Sequence, residues 1–429
     1  MTSPPSPDTS SGAGAPKSNR EGLSVRDWVT LLSLAAIQFL NILDFIIVMP
    51  LGPRFLDELG ITAKQFGYVV AIYGYASFVA GILAAGWLHR YDRKWTMLFL
   101  LGCFAVSTFY CSTAISIADL LIARAVAGAC GGLIGSLVLS TVSELFPESK
   151  RGFAIGVVMS AFSVASIFGV PMGLALAERY TSARVPFLML ALACAPFAVA
   201  LWFSLPRTEG HEDSHGDGYW RTLWETVKAP AHRWGFAFTI LVVLQTFLLV
   251  PYLATYCVEN LGLPTSRLQW VYMIGGAATL LSSPWIGRFA DRFGKIFAYR
   301  CVVAAAIVPT LVVTHAHGIS NAMCVALTTV YMVVTSSRMV TAQAILSSVP
   351  APRWRTSFLS MNGSIQSLAA GVAASVSANI VRKTEAGPLE NFWIVGWLGA
   401  GFFVLSLFLL PRLKPYSPDS AVSNNHELH

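Results

Sequence analysis

Apolar residues run along this chain in blocks of about twenty or more, separated by short polar stretches. Six blocks fall at residues 27–52, 66–88, 95–115, 117–145, 153–177 and 185–205, and six more at 234–257, 268–289, 297–316, 320–345, 356–381 and 391–411. A helix needs roughly 20 mostly apolar residues to cross about 30 Å of hydrocarbon, whereas a barrel strand shows alternating segments of about ten. The blocks are too long for barrel strands, so the pattern predicts an all-α membrane protein of twelve transmembrane helices.

Composition agrees: 55% of the 429 residues are hydrophobic and only 12% charged, against about 25% charged in soluble domains. The polar stretches divide the chain. Residues 1–26 are rich in Ser, Pro and Gly and read as a disordered cytoplasmic tail without an apolar core for a cleavable signal. An N-terminal six-helix bundle is expected over 27–205, a cytoplasmic linker over 206–233, a C-terminal six-helix bundle over 234–411, and a polar cytoplasmic tail over 412–429. The acidic, His-bearing run Thr208–Gly218 reads as a solvated linker in preference to a metal patch.

The net charge of +7 does not form a basic stripe, so no nucleic-acid partner is expected. With the N-terminus inside, cytoplasmic segments hold 19 Lys and Arg against 7 outside. That bias predicts both termini in the cytoplasm of a multi-pass protein in the cell's inner (plasma) membrane. All seven cysteines lie in or at the ends of apolar blocks without a CxxC pair, which argues against disulfides or a metal site.

Two loop sequences recur about 200 residues apart: AGWLHRYDRK at Ala85–Lys94 with IGRFADRFGK at Ile286–Lys295, and PESKRGFA at Pro147–Ala154 with PRWRTSFL at Pro352–Leu359. Two matched loops at one offset indicate duplicated halves. The run Gly287, Asp291, Arg292, Gly294 and Lys295 resembles the signature loop of the major facilitator superfamily. Its first copy has His89 in place of Asp and Asp92 in place of Gly. Arg124 with Gly128 resembles the family's Arg-x-x-x-Gly element, with Ala127 at a position more often polar. Gly169, Val170, Pro171 and Gly173 resemble the Gly-Pro element of its proton-coupled exporters. The likeness covers nearly the whole chain and is strongest to bacterial drug:proton antiporters and sugar-efflux-like permeases. It implies two six-helix bundles that rock about a midplane site.

Charges inside the apolar blocks mark candidate chemistry. Asp44 lies about eight residues, roughly 12 Å, from the outer end of the first helix, and Arg124 about seven residues, roughly 10 Å, from that of the fourth. In the resembled fold those helices line one half's cavity, so the two are expected to meet. Arginine keeps its charge while an aspartate can take up a proton as its hydration changes, which makes Asp44 the proton-carrier candidate. The alternative is a static ion pair, or an Asp44 that only caps its helix.

Arg338 admits two readings: attraction of an anionic substrate, or snorkelling to the inner interface. Gln38, Asn41, Tyr73, Gln245, Tyr252, Asn362 and Gln366 are candidates for a mixed polar and apolar substrate cavity, the alternative being helix-to-helix hydrogen bonds. Asn362 with Gln366, and Gln245 with Tyr252, are spaced to share a helix face. The resemblance implies that Glu144 with Arg90, Arg93, Lys94 and Arg151, together with the second loop, gates the cytoplasmic side, the alternative being a solvated charge cluster. Gly169, Pro171 and Gly173 should bend or tightly pack the fifth helix.

No H-E-x-x-H, G-x-S-x-G or P-loop pattern is present, which excludes the usual signatures of a protease, hydrolase or ATP-driven pump. Together with the resemblance, which implies proton-coupled export, this predicts a monomeric secondary transporter without cofactor or metal, exporting a small amphipathic molecule in exchange for protons. Proton-linked or facilitated uptake of a sugar or organic acid is the alternative.

Overall fold

The computed structural model describes residues 24–85, 91–206, 216–384 and 387–413. Arg90 of the predicted gate, residues 1–23 of the leading tail and 414–429 of the trailing one lie outside them.

The first half holds α1 (Val25–Ile47), α2 (Gly52–Leu59), α3 (Ala63–Ala85), α4 (Arg93–Thr113), α5 (Ile117–Leu145), α6 (Glu148–Val164), α7 (Val170–Arg179) and α8 (Arg184–Ser204). A π-helical turn, Ala165–Gly169, joins α6 to α7. The second half follows a connecting helix α9 (Gly216–Lys228) with α10 (Pro230–Glu259), α11 (Leu268–Phe293), α12 (Lys295–His315), α13 (Asn321–Leu346), α14 (Arg355–Ile380) and α15 (Phe392–Leu409). A two-residue hairpin, Arg382–Lys383 with Leu389–Glu390, connects α14 to α15.

Among the described residues, ten helical segments are long and apolar enough to cross a membrane. Two predicted spans, α11 and α14, fall outside that set although each has 26 residues. Their composition explains this: α14 carries Ser357, Ser360, Asn362, Ser364, Gln366 and Ser367, and α11 ends in Arg288, Asp291 and Arg292. Both pack against neighbouring helices of the bundle, α14 between α3 and α10 and α11 against α13 and α7.

Helix starts follow local chemistry. Ser24 and Ser116 each form a capping box with the aspartate three residues on, Asp27 and Asp119, satisfying N–H groups that the first turn leaves open. Asp92, which replaces the glycine of the repeated loop, caps α4 by accepting from the Lys94 and Trp95 N–H groups at 2.8 and 3.1 Å.

The chain crosses the bundle repeatedly, so one end carries Val25 and Leu413 (the terminal end) and the other carries α2 and the hairpin (the hairpin end). Their packing differs. At the hairpin end one apolar cluster joins both halves, including Ile47, Phe66 and Leu174 with Leu248, Tyr252 and Leu389. At the terminal end the clusters are separate: Leu31, Met97, Leu137 and Leu201 in the first half, and Phe236, Ile345, Phe358 and Phe403 in the second. The halves are thus sealed together at the hairpin end and keep independent cores at the other.

Polar contacts repeat this asymmetry. Tyr252 of α10 donates to the Ala63 carbonyl of α3 at 2.7 Å, and Lys383 bridges Glu259 at 2.9 Å and Asp57 of α2 at 3.6 Å. The α3–α14 seam continues inward through Tyr75–Ser375 and Ser77–Ser367 hydrogen bonds of 3.0 and 3.1 Å. Backbones come close there because Gly74 faces Gly371, and a Cβ on Gly74 would lie 2.5 Å from the Ser367 carbonyl oxygen.

Candidate functional site

Asp44 and Arg124 meet inside the first half, with both side chains at 0% exposure. Arg124 Nη1 donates to Asp44 Oδ2 at 2.7 Å and to the Asp44 carbonyl at 3.3 Å. Thr108 of α4 donates to the other carboxylate oxygen at 3.4 Å. The guanidinium lies 4.5 Å from the centre of the Tyr73 ring, so an aromatic face supports the cation. Its Nε and Nη2 are buried without an acceptor. The guanidinium therefore spends one edge on the carboxylate and keeps another unsatisfied.

A hydrogen-bonded chain fixes this geometry. Tyr73 donates to Asn41 Oδ1 at 3.1 Å, and Asn41 Nδ2 donates to the Gly131 carbonyl at 3.0 Å. Cβ atoms on Gly128 or Gly131 would strike the Tyr73 backbone or the Tyr73 and Asn41 side-chain oxygens. The Arg-x-x-x-Gly spacing thus lets α5 approach α3 closely enough for the tyrosine to cover the arginine. Gly169 and Gly173 do the same on the far side of α1, where added Cβ atoms would meet Leu43 and Ile47. The π-turn ends at Gly169, and Pro171 sits in the first turn of α7, beside the tightly packed glycines.

The second half carries another buried arginine. Arg338 is 1% exposed, which removes the snorkelling reading. Its Nη2 donates to Thr246 Oγ1 at 2.5 Å, its Cζ lies 5.2 Å from the Phe403 ring centre, and its Nε has no acceptor. Among the described residues it pairs with no carboxylate. Thr246, Thr108 and Phe403 were not singled out from the sequence, since an ordinary threonine or phenylalanine in an apolar block gives no signal.

The remaining cavity candidates separate. Tyr252 belongs to the seal at the hairpin end and is fully buried. Asn362 accepts from Thr239 at 2.6 Å within the second half. Asn41 and Tyr73 serve the ion-pair chain, so for these four the helix-to-helix alternative describes the contact. Gln245 packs toward Gly399 of α15 and shares no polar partner with Tyr252. Gln38 and Gln245 each hold a buried amide atom without a partner, and Gln366 is half-buried.

At the terminal end Arg93 forms a two-point ion pair with Glu144 at 2.6 and 3.1 Å, and Lys94 lies 5.3 Å from the Trp202 ring centre. These contacts stay within the first half. Arg151 keeps a buried Nε without an acceptor. In the second copy Gly287 is half-buried, Gly294 turns the chain at φ +93° ahead of Lys295, and Asp291 and Arg292 are exposed. Neither Asp291 nor Arg292 makes an ion pair among the described residues.

Sequence comparison decides the family: the profile of the Major Facilitator Superfamily matches residues 34–374. The chain belongs to that superfamily. Major facilitator proteins are transporters of small molecules and not enzymes, and this one is a multi-pass membrane protein. It is 23% identical over 296 residues to Multidrug resistance protein 1 of Bacillus subtilis, covering 67% of this chain and 75% of that protein. It is 24% identical over 242 residues to the chloramphenicol resistance protein of Streptomyces lividans, covering 56% and 62% of the two. Among solved structures, a bacterial homologue of the human lysosomal transporter Spinster, in an inward-facing and occupied conformation, superposes with a TM-score of 0.68 at 15% identity. That match covers 92% of this chain and all of the other. The nucleoside transporter NupG matches with the same TM-score, 0.68, at 14% identity over 90% of this chain. At these identities the structural matches speak for the major facilitator fold alone.

Proposed function

We propose that this transporter exports small amphipathic organic molecules in exchange for protons by alternating access. It works as a monomer with twelve spans in two six-helix halves and both termini in the cytoplasm of the plasma membrane. One observation carries the proton part: the fully buried Asp44–Arg124 pair, in which only the aspartate can change its charge. The names of the multidrug and chloramphenicol resistance relatives support export of amphipathic organic compounds.

With the termini inside, the sealed hairpin end faces outward and the conformation is inward-facing. In it Asp44 is ionised and paired. Rocking to the outward-facing state hydrates the pair and lets Asp44 take a proton from outside, which frees Arg124 from its partner. A lone buried guanidinium costs several kcal/mol. The protonated state therefore carries its proton inward and releases it to the cytoplasm, where the pair re-forms.

In this reading the basic cluster at Arg93, Lys94 and Arg151 with Glu144, and the second loop at Asp291, Arg292 and Lys295, close the cytoplasmic side in the opposite state. Among the described residues Asp291 and Arg292 make no ion pair in this conformation, which fits that role.

The test is transport in proteoliposomes under an imposed pH gradient, with phenylnaphthylamine as the amphipathic cargo. Acid on the side that corresponds to the cell exterior should drive movement toward that side, and a protonophore should stop it. Movement of the cargo together with protons would replace export by the uptake reading.

A further inference from the structure

The two halves each hold one buried arginine reaching from the fourth or tenth membrane helix to the first or seventh. In the first half Arg124 meets Asp44. In the second, Arg338 reaches Thr246, which lies 202 residues after Asp44, the spacing of the duplicated loops. Where the first half supplies a carboxylate, the second supplies a hydroxyl.

No other acid replaces it. From Lys295 to Ile380 the sequence has neither Asp nor Glu, and α10 has only Glu259, at its hairpin end. The polar neighbours of Arg338, the hydroxyls of Thr246, Tyr299 and Tyr331, are all neutral. The guanidinium is 1% exposed and its Nε–H is buried without an acceptor. A cation held this deep calls for an anion.

The surroundings suit an amphipathic one. Phe403 lies under the guanidinium, and Thr246 is only half-buried. The next residue, Phe247, meets Phe45 of the first half at 5.6 Å between ring centres, at the seam between the halves. Arg338 lies eight residues before the terminal end of α13 at Leu346, roughly 12 Å along the helix, on the side where the cores separate.

We propose that Arg338, with Thr246, binds the anionic group of an amphipathic substrate, a carboxylate or sulfonate, whose apolar body lies against the aromatic residues of the second half. The proposal rests on the transport reading for the site's role as cargo pocket. The cargo then supplies the negative charge that Asp44 supplies in the first half.

The probes are anilinonaphthalene sulfonate and phenylnaphthylamine, which share one aromatic body and differ by the sulfonate. Equilibrium binding to proteoliposomes holding the full chain is measured after subtraction of protein-free vesicles. Wild-type protein should bind the sulfonate saturably, Arg338→Gln should weaken it at least about tenfold, and Arg338→Lys should lose less. Phenylnaphthylamine should bind all three alike.

Thr246→Asp gives a second test if Arg338→Gln does not fold: an internal carboxylate should abolish sulfonate binding and raise the melting temperature. Absent sulfonate binding in wild type, or equal sulfonate binding in Arg338→Gln or Thr246→Asp, overturns the proposal. Export of phenylnaphthylamine under a pH gradient is read separately, so the anion site can fail while export stands.

Discussion

Arg124 and Asp44, 80 residues apart in sequence, sit 2.7 Å from each other with no exposed surface on either side chain. Removing one partner of such a pair strands the other, at a cost of about 3–5 kcal/mol. Asp44→Asn and Arg124→Gln should each lower the melting temperature of the purified protein. The double variant should lose less than the sum, with a coupling of about 0.5–3 kcal/mol. Additive losses would show that the two side chains do not act as a pair.

Gly131 tests the support behind the pair. An alanine Cβ there would press on Tyr73 Oη and Asn41 Oδ1, whereas nothing lies within 4 Å of a Cβ at Gly102. Gly131→Ala should destabilise by about 1–3 kcal/mol as an overpacked contact. Gly102→Ala should leave the melting temperature unchanged or slightly raised.

Tyr252 tests the seal. Tyr252→Phe deletes its 2.7 Å hydrogen bond to the Ala63 carbonyl, worth about 0.5–1.5 kcal/mol. The population open at the hairpin end should rise roughly two- to tenfold. Maleimide labelling of Cys257, which is fully buried at that end, reads this directly and should accelerate by the same factor.

Glu144→Gln tests the gate. It leaves Arg93, only 11% exposed at the side chain, without its carboxylate. Because Glu144 itself is 41% exposed, the stability loss should stay within about 1 kcal/mol. Transport should fall by more than that loss explains if the cluster closes the cytoplasmic side, as flux and melting measurements on one preparation will show.

Most helices were legible because a long apolar run marks a membrane span. The block read as 117–145 is α5 to the residue, and those read as 268–289 and 356–381 coincide with α11 and α14 to within a few residues. Hydropathy did not resolve the break after Ile47, because the turn residues Val48, Met49, Pro50 and Leu51 continue the apolar run. Nor did it find α9, whose apolar residues are interleaved with charges in a stretch read as linker.

The ion pair was legible because charges in apolar helices are rare, their depths matched, and the resembled fold brings the first and fourth helices together. Polar uncharged residues carried no such depth cue. Tyr252, open to a cavity or a helix-to-helix reading, makes its hydrogen bond in the seal, since spacing on one helix does not say which neighbour a face meets. Thr246 was invisible until Arg338 was seen to reach it.

Proton flux driven by cargo tests the central claim most directly. With a pH-sensitive dye trapped in proteoliposomes, an imposed gradient of phenylnaphthylamine should drive protons against the direction of cargo flow in wild type. In Asp44→Asn that flux should vanish while exchange of phenylnaphthylamine across the membrane continues. Undiminished proton flux in Asp44→Asn would contradict the account.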